Sequence, residues 1–392
     1  MLRRVRQLPS SVWLIGLISL LNDSASEMIY PLVPLYLASV LMAGPKALGV
    51  IEGVAEATSS LVKLLSGVLV DRTGRSKPLV VLGYALAGFS RPLLSFTSSW
   101  YGVLGLRFAD RLGKGFRASP RDALLAASVD SGQRGLAFGF HRAMDNAGAV
   151  IGPMMAALLL KAGFHYRQIF QLALIPALLC LTLSLFLREK PAQTREKSQE
   201  LKADPVASLP SSFKRYLLAL GVFTLGNSSN MFLLVRAREL GLADSNVPML
   251  WGLVSLVAMI FSTPFSALSD HYGRKRLIAL GWLAYALFYL ALGLLPPGSP
   301  GALYSLFAFY GLFLAATEGV EKALVADLAP PELRGTAYGW FYLVSGGLLL
   351  PASVLFGWFY SAWGAAGAFG LSSTCALLAG ILLQSWVGLK AR

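Results

Sequence analysis

GVLVDRTGRSKPL, residues 67 to 79, joins two long apolar runs with a short burst of charge: Asp71, Arg72, Arg75 and Lys77, with Gly74 among them. About 200 residues later SALSDHYGRKRLI, 266 to 278, repeats its Asp-x-x-Gly-Arg core between two further apolar runs. Two other pairs keep that offset, QRGLAFGF (133–140) with LRGTAYGW (333–340) and DALLA (122–126) with KALVA (322–326). One spacing shared by three separate pairs means that the chain is built twice over.

The composition says what surrounds these loops. Of 392 residues 55% are hydrophobic and 14% charged, and the mean hydropathy is +0.61. Soluble domains carry nearly twice that share of charge. Apolar runs recur along the chain, each long enough to cross a hydrocarbon layer of about 30 Å. They predict twelve spans, at 11–41, 46–70, 77–97, 100–128, 135–160, 167–188, 216–235, 246–269, 276–296, 302–328, 335–361 and 363–387. The expected class is an all-α membrane protein with twelve transmembrane helices in two pseudo-symmetric six-helix bundles. The first apolar run is too long for a secretory leader and lacks a small-residue cleavage site. Cys180 and Cys375 both fall in apolar runs, so neither a disulfide framework nor a thiolate metal site is implied.

The net charge of +14 does not point to nucleic acid, because topology accounts for most of it. With the N-terminus in the cytoplasm, twenty of the 34 Lys and Arg fall in cytoplasmic segments and five outside. That asymmetry orients the chain with both termini cytoplasmic, as a multi-pass protein of the plasma (inner) membrane. The one long polar stretch, 188–215, reads as a cytoplasmic linker. It separates an N-terminal bundle, 1–187, from a C-terminal bundle, 216–392.

The repeated loop resembles the signature between spans 2 and 3 of the major facilitator superfamily, Gly-x-Leu-Ala-Asp-x-x-Gly-Arg. Gly67, Leu69, Asp71, Gly74, Arg75 and Lys77 fill it, and a weaker copy sits at Asp270, Gly273, Arg274 and Arg276. The resemblance covers essentially the whole chain. It implies the major facilitator fold, a commonly monomeric secondary transporter with no cofactor, and a conformational gate at Gly67, Asp71, Arg72, Gly74, Arg75, Asp270 and Arg274. GAVIGPMMAALL (148–159) is similar to the antiporter motif of proton-driven exporters through Gly148, Gly152 and Pro153, although Ala156 and Ala157 replace its usual Gly-Gly. PLVP (31–34) is similar to another exporter-enriched motif. The superfamily's buried Arg of span 4 falls on Arg107 by spacing from Asp71, or on Arg111 by its place before Gly115; Arg107 is favoured.

Ionisable side chains inside a bilayer cost about 2.5–3.5 kcal/mol or more, so they face the bundle interior and find partners. Glu52, Glu56, Ser59 and Lys63 share one helix face, and span 4 carries Arg107, Arg111, Lys114 and Arg121 on one stripe. First-half spans hold seven acids and eight bases, so internal pairing cancels nearly all the charge and leaves the substrate's charge unread. For Arg91, Arg117, Asp122 and Lys63, pairing that holds the bundle together is the favoured role. Glu27 stands apart: its flanks are apolar, no base lies within a turn, and Pro31 weakens the helix beside it. It can take a proton from one side and release it to the other. Asp23, Asp145 and His141, which titrates nearest neutrality, complete the proposed proton-coupling set. Glu56, Arg107, Arg111, Lys114, Asn227, Asn230 and Glu318 are expected to line the substrate cavity, with coupling in the first half and the second half shaping the pocket.

The expected activity is proton-coupled export of a small molecule or drug by alternating access, the partners being that substrate, protons and the lipid bilayer. Export of a divalent ion such as Fe or Mn through His141, Asp145, Glu27 and Asp23 is an alternative without a ligand spacing to support it; transport of organic anions on the span 4 bases is another. No nucleophile elbow, phosphate loop, HExxH or dinucleotide turn is present, which argues against an enzyme.

Overall fold

The computed structural model describes residues 2–42, 45–189, 209–228, 230–242 and 246–387; the side chains of Glu52 and Glu56 lie outside that description. So does most of the expected linker, 190–208. Among the described residues the regular structure is entirely helical. In chain order the helices are α1 (Leu2–Arg6), α2 (Ser10–Ile29), α3 (Leu32–Ser39), α4 (Pro45–Thr73), α5 (Lys77–Leu93), α6 (Trp100–Ala127), α7 (Arg134–Lys161) and α8 (Tyr166–Leu172). They continue with α9 (Leu174–Leu185), α10 (Ser211–Gly226), α11 (Asn230–Glu239), α12 (Val247–Tyr272), α13 (Arg274–Leu294), α14 (Pro300–Leu328), α15 (Arg334–Gly347) and α16 (Leu349–Trp386).

Eight described stretches are long and apolar enough to cross a membrane by length and composition alone. The other four of the twelve spans are accounted for locally. α4 and α6 are long enough but carry the charged stripes. α10 and α11 share one span that is broken in the middle, and the last apolar stretch, Pro331–Trp386, holds two spans that turn at Gly364 (φ 69°). The fold is the expected one, twelve transmembrane helices in two six-helix halves.

Four spans expected to be continuous are interrupted, three of them by proline. A proline lacks the N–H for the i−4 bond and its ring displaces that carbonyl. Pro31 acts on Glu27, and α2 stops at Ile29; Pro176 acts on Leu172, where α8 stops; Pro351 acts on Gly347, where α15 stops. Span 7 breaks without one: Asn227 is extended (φ −93°, ψ 98°) after Gly226. The breaks at 30–31 and 227–228 are again about 200 residues apart, so the duplication extends to a defect in the helix.

The chain forms two compact units. One comprises Met1–Asp130, Met144–Ser208 and Pro331–Gly339; the other comprises Ser131–Ala143, Leu209–Pro330 and Trp340–Arg392. Each unit therefore incorporates a short stretch from the opposite half of the sequence, and α7 passes from one unit to the other between Ala143 and Met144. The first unit has an apolar core at the α2–α3 break, where Met28, Ile29, Leu32, Val33 and Tyr36 pack with Ile51, Val103 and Phe170. The second is aromatic. Phe223 stacks on Trp282 at 4.7 Å, Tyr285 on Tyr289 at 4.1 Å and Phe288 on Tyr310 at 4.7 Å. Large side chains such as Leu65, Leu158, Leu218, Leu283 and Trp358 point outward, as a lipid-facing surface requires.

Candidate functional site

In the first unit the two acids of α2 lie beneath the glycines of α7. A Cβ on Gly148 would stand 2.6 Å from the Leu20 carbonyl oxygen and 2.9 Å from the Asp23 Cβ. One on Gly152 would stand 2.6 Å from the Ser24 carbonyl oxygen and 2.8 Å from the Met28 nitrogen. Such distances are below any tolerated contact, so the glycines allow a backbone approach that no other residue permits. Pro153 sits inside α7, which remains unbroken. Glycines at this spacing thus clamp the segment 20–28 that carries Asp23 and Glu27, both half-buried. Asp145, buried one turn before Gly148, is among the charges acting on Asp23, together with Arg117 and Arg121. Glu27 in turn feels Asp23, Lys114, Arg91 and Arg111.

A chain of polar contacts ties the acids to the core. Asn22 donates to Asp23 (2.7 Å); Arg91 donates to the Asn22 carbonyl and side-chain oxygens (3.1 Å each) and to Asp110 (3.0 Å). Arg107 reaches the other Asp110 oxygen at 3.4 Å and lies over the Tyr30 ring at 5.5 Å. Arg91, Arg107 and Asp110 are each 5% exposed, so this pairing is fully desolvated. Arg107, expected at the cavity wall, is thus engaged with Asp110 and Tyr30. Arg111 is buried and Lys114 half-buried on the same helix. The expected place of Glu56 falls outside the described side chains.

The repeated loops form two matching helix caps. Asp71 accepts from the amides of Gly335 (2.9 Å) and Thr336 (2.5 Å) at the start of α15, all within the first unit. Asp270 accepts from Gly135 (2.9 Å) and Leu136 (3.0 Å) at the start of α7, all within the second. A carboxylate at a helix N-terminus satisfies orphan amides and opposes the positive end of the dipole. Glycine is required at each approach: a Cβ on Gly335 would meet an Asp71 oxygen at 2.8 Å, and one on Gly135 would meet an Asp270 oxygen at 2.7 Å. Gly67 faces the Gly335 carbonyl still more closely, a Cβ there falling 2.1 Å from its oxygen. Gly74 (φ 68°) and Gly273 (φ 93°) turn the chain with positive φ, which explains why both loops carry glycine at that place.

The copies differ at their arginines. Arg274 is 4% exposed and bonds Asp270, the Ser131 carbonyl and Asp327, which also takes Arg134 at 2.5 Å. The position corresponding to Asp327 in the first half is Ala127. Lacking that acid, Arg75 is exposed, as is Arg72, and Glu189 caps α5 instead by accepting from the amides of Ser76 and Lys77.

The remaining expected positions lie in the second unit. His141 is fully buried there, on the part of α7 that belongs to this unit. Glu318 takes a two-pronged bond from Arg142. Asn227 and Asn230 accept from Tyr285 (3.2 Å) and Tyr310 (3.1 Å). The four residues expected to couple protons are therefore divided, with Glu27, Asp23 and Asp145 in the first unit and His141 in the second. No group of three His, Cys, Asp or Glu side chains suited to a metal ion occurs among the described residues.

The sequence profile of the Major Facilitator Superfamily matches residues 13–235 and 216–392, together nearly the whole chain. The chain belongs to the major facilitator superfamily. It is 34% identical over 385 residues to an uncharacterised transporter of this superfamily from Methanocaldococcus jannaschii, covering 96% of this chain and 95% of the relative. It is 26% identical over 337 residues to the multidrug resistance protein MdtH of Proteus mirabilis, covering 80% and 78%. The fold matches that of the human organic anion transporter MFSD10 with a TM-score of 0.75 at 20% identity, over 96% of this chain and 100% of the other. As a member of the superfamily it is a multi-pass membrane transporter of small molecules.

Proposed function

We propose that this transporter exports a small organic molecule in exchange for protons, with Glu27 as the coupling carboxylate and Asp23 and Asp145 as its neighbours. The reading rests on one observation above all: the antiporter-motif glycines of α7 press directly on the segment of α2 that holds both acids. A proton taken up by Glu27 removes a charge from the network that runs through Asp23, Asn22 and Arg91. Substrate and proton then compete for that network, and inward proton flow drives the substrate out. The break after Ile29 gives the end of α2 freedom to shift between the two states.

The caps of Asp71 on α15 and of Asp270 on α7 would act as the conformational gate, each holding the first turn of its helix. The cation-rich loops support a cytoplasmic position for the signature loops, in the plasma membrane, with both termini on the same side. A single chain then suffices, with a small-molecule or ion substrate and protons as partners and no role for nucleic acid. The likeness to MdtH supports drug-like molecules as substrates.

Purified protein in liposomes with a trapped pH dye and an inward-directed proton gradient tests this directly. At least one compound of a panel of lipophilic drugs, organic anions and Mn(II) is expected to provoke proton movement only when the protein is present. Tracer flux of a panel member without proton movement would overturn coupling; proton movement with Mn(II) alone would transfer the assignment to metal export.

A further inference from the structure

The second half holds a carboxylate to which the export reading gives no role. Glu321 lies on α14 inside the span Pro300–Leu328, one residue before Lys322. Its hydrogen bond comes from the indole N–H of Trp282 on α13, at 3.0 Å. Among the described residues no base pairs with it. Trp282 is fully buried and stacked on Phe223 at 9° between planes, so the donor is held still. A second polar group interacts with it electrostatically: the Tyr216 hydroxyl of α10, fully buried and without a hydrogen-bond partner.

The surrounding charges are engaged elsewhere. On α14 itself Glu318 is bonded by Arg142, and the Lys322 ammonium sits 5.6 Å from the centre of the Tyr342 ring. On α13, Arg274 serves Asp270 and Asp327, and Lys275 donates to the carbonyls of Gln384 and Val387. Arg215 of α10 reaches the Trp386 carbonyl. The ionisable groups of α12, Asp270, His271 and Tyr272, lie at its last turn, and His141 belongs to the stretch of α7 in the same unit. An anion in the bilayer with an indole as its donor and another acid, Glu318, acting on it is unfavourable. Binding a proton removes that charge while keeping the indole bond, because the carbonyl oxygen of the acid still accepts it.

We propose that Glu321 is a proton-binding site of the second half, distinct from Glu27, with Trp282 as the donor that holds the carboxyl in both of its protonation states. The proton comes from water and returns to water, and no other reactant is needed. The chain then carries one exchangeable carboxyl in each unit.

The test needs no substrate, so its outcome is independent of the export reading. Infrared difference spectra of the full-length protein in lipid, taken between acid and alkaline pH, are expected to contain a protonated-carboxyl C=O band that disappears in Glu321→Gln. In Trp282→Phe the band is expected to remain and to move to higher frequency, because the carbonyl has lost its donor. A spectrum unchanged by Glu321→Gln overturns the proposal. Should that variant fail to fold, an unshifted band in Trp282→Phe overturns it as well.

Discussion

Replacing Arg91 with alanine is expected to lower the stability of the protein by about 3–5 kcal/mol, the cost of leaving one member of a desolvated ion pair alone. Arg91 is 5% exposed and serves three acceptors at once, Asp110 and both oxygens of Asn22. Arg107 keeps contact with Asp110 only through a 3.4 Å approach, so it recovers a part of the loss. The double variant Arg91→Met with Asp110→Leu removes both charges and is expected to be much more stable than Arg91→Ala, since apolar replacements of a buried pair are often neutral. Thermal unfolding in detergent measures both. An Arg91→Ala protein within about 0.5 kcal/mol of wild type, the range of an ordinary surface change, would mean that the pair is not desolvated.

Gly152→Leu is the second large effect. Even the Cβ of alanine would fall 2.6 Å from the Ser24 carbonyl oxygen, and leucine adds three more carbons in the same direction. Overpacking of this kind costs about 1–3 kcal/mol. Here it also separates α7 from the acid-bearing segment of α2, so transport is expected to fall further than stability, with Gly152→Ala intermediate. Gly105→Ala on α6 is the control, because nothing lies within 4 Å of its Cβ and the change is expected to be neutral. Transport by Gly152→Leu at the wild-type rate would remove the glycine ridge from the mechanism.

Much of this was legible in the sequence, for reasons that particular residues make clear. The signature loops could be read because a positive-φ glycine and a capping carboxylate leave fixed traces, Gly74 with Asp71 and Gly273 with Asp270. The identity of the capped helices could not, since Asp71 meets Gly335 across 264 positions of chain. In retrospect the paired QRG and LRG strings held the clue, because a glycine opening a helix marks where a carboxylate can approach. Arg91 was expected to pair within the bundle, and it bonds Asp110 of α6; its bond to Asn22, which bears directly on Asp23, depends on tertiary packing. Glu318 and Lys322 are four residues apart in the sequence, yet Glu318 takes Arg142 and Glu321 takes Trp282, partners supplied by other helices. The proline breaks followed from local chemistry, but the rule does not say which proline will break a helix: Pro92, Pro120, Pro153 and Pro264 all sit within unbroken ones.

In the proposed exchange Glu27 couples proton to substrate. Once the liposome screen has supplied a transported compound, Glu27→Gln separates coupling from translocation. The neutral side chain mimics the protonated acid, so exchange of labelled for unlabelled compound across the membrane at equal pH is expected to continue. Flux driven by a proton gradient is expected to vanish. Gradient-driven flux that persists in Glu27→Gln at the wild-type rate would contradict the account.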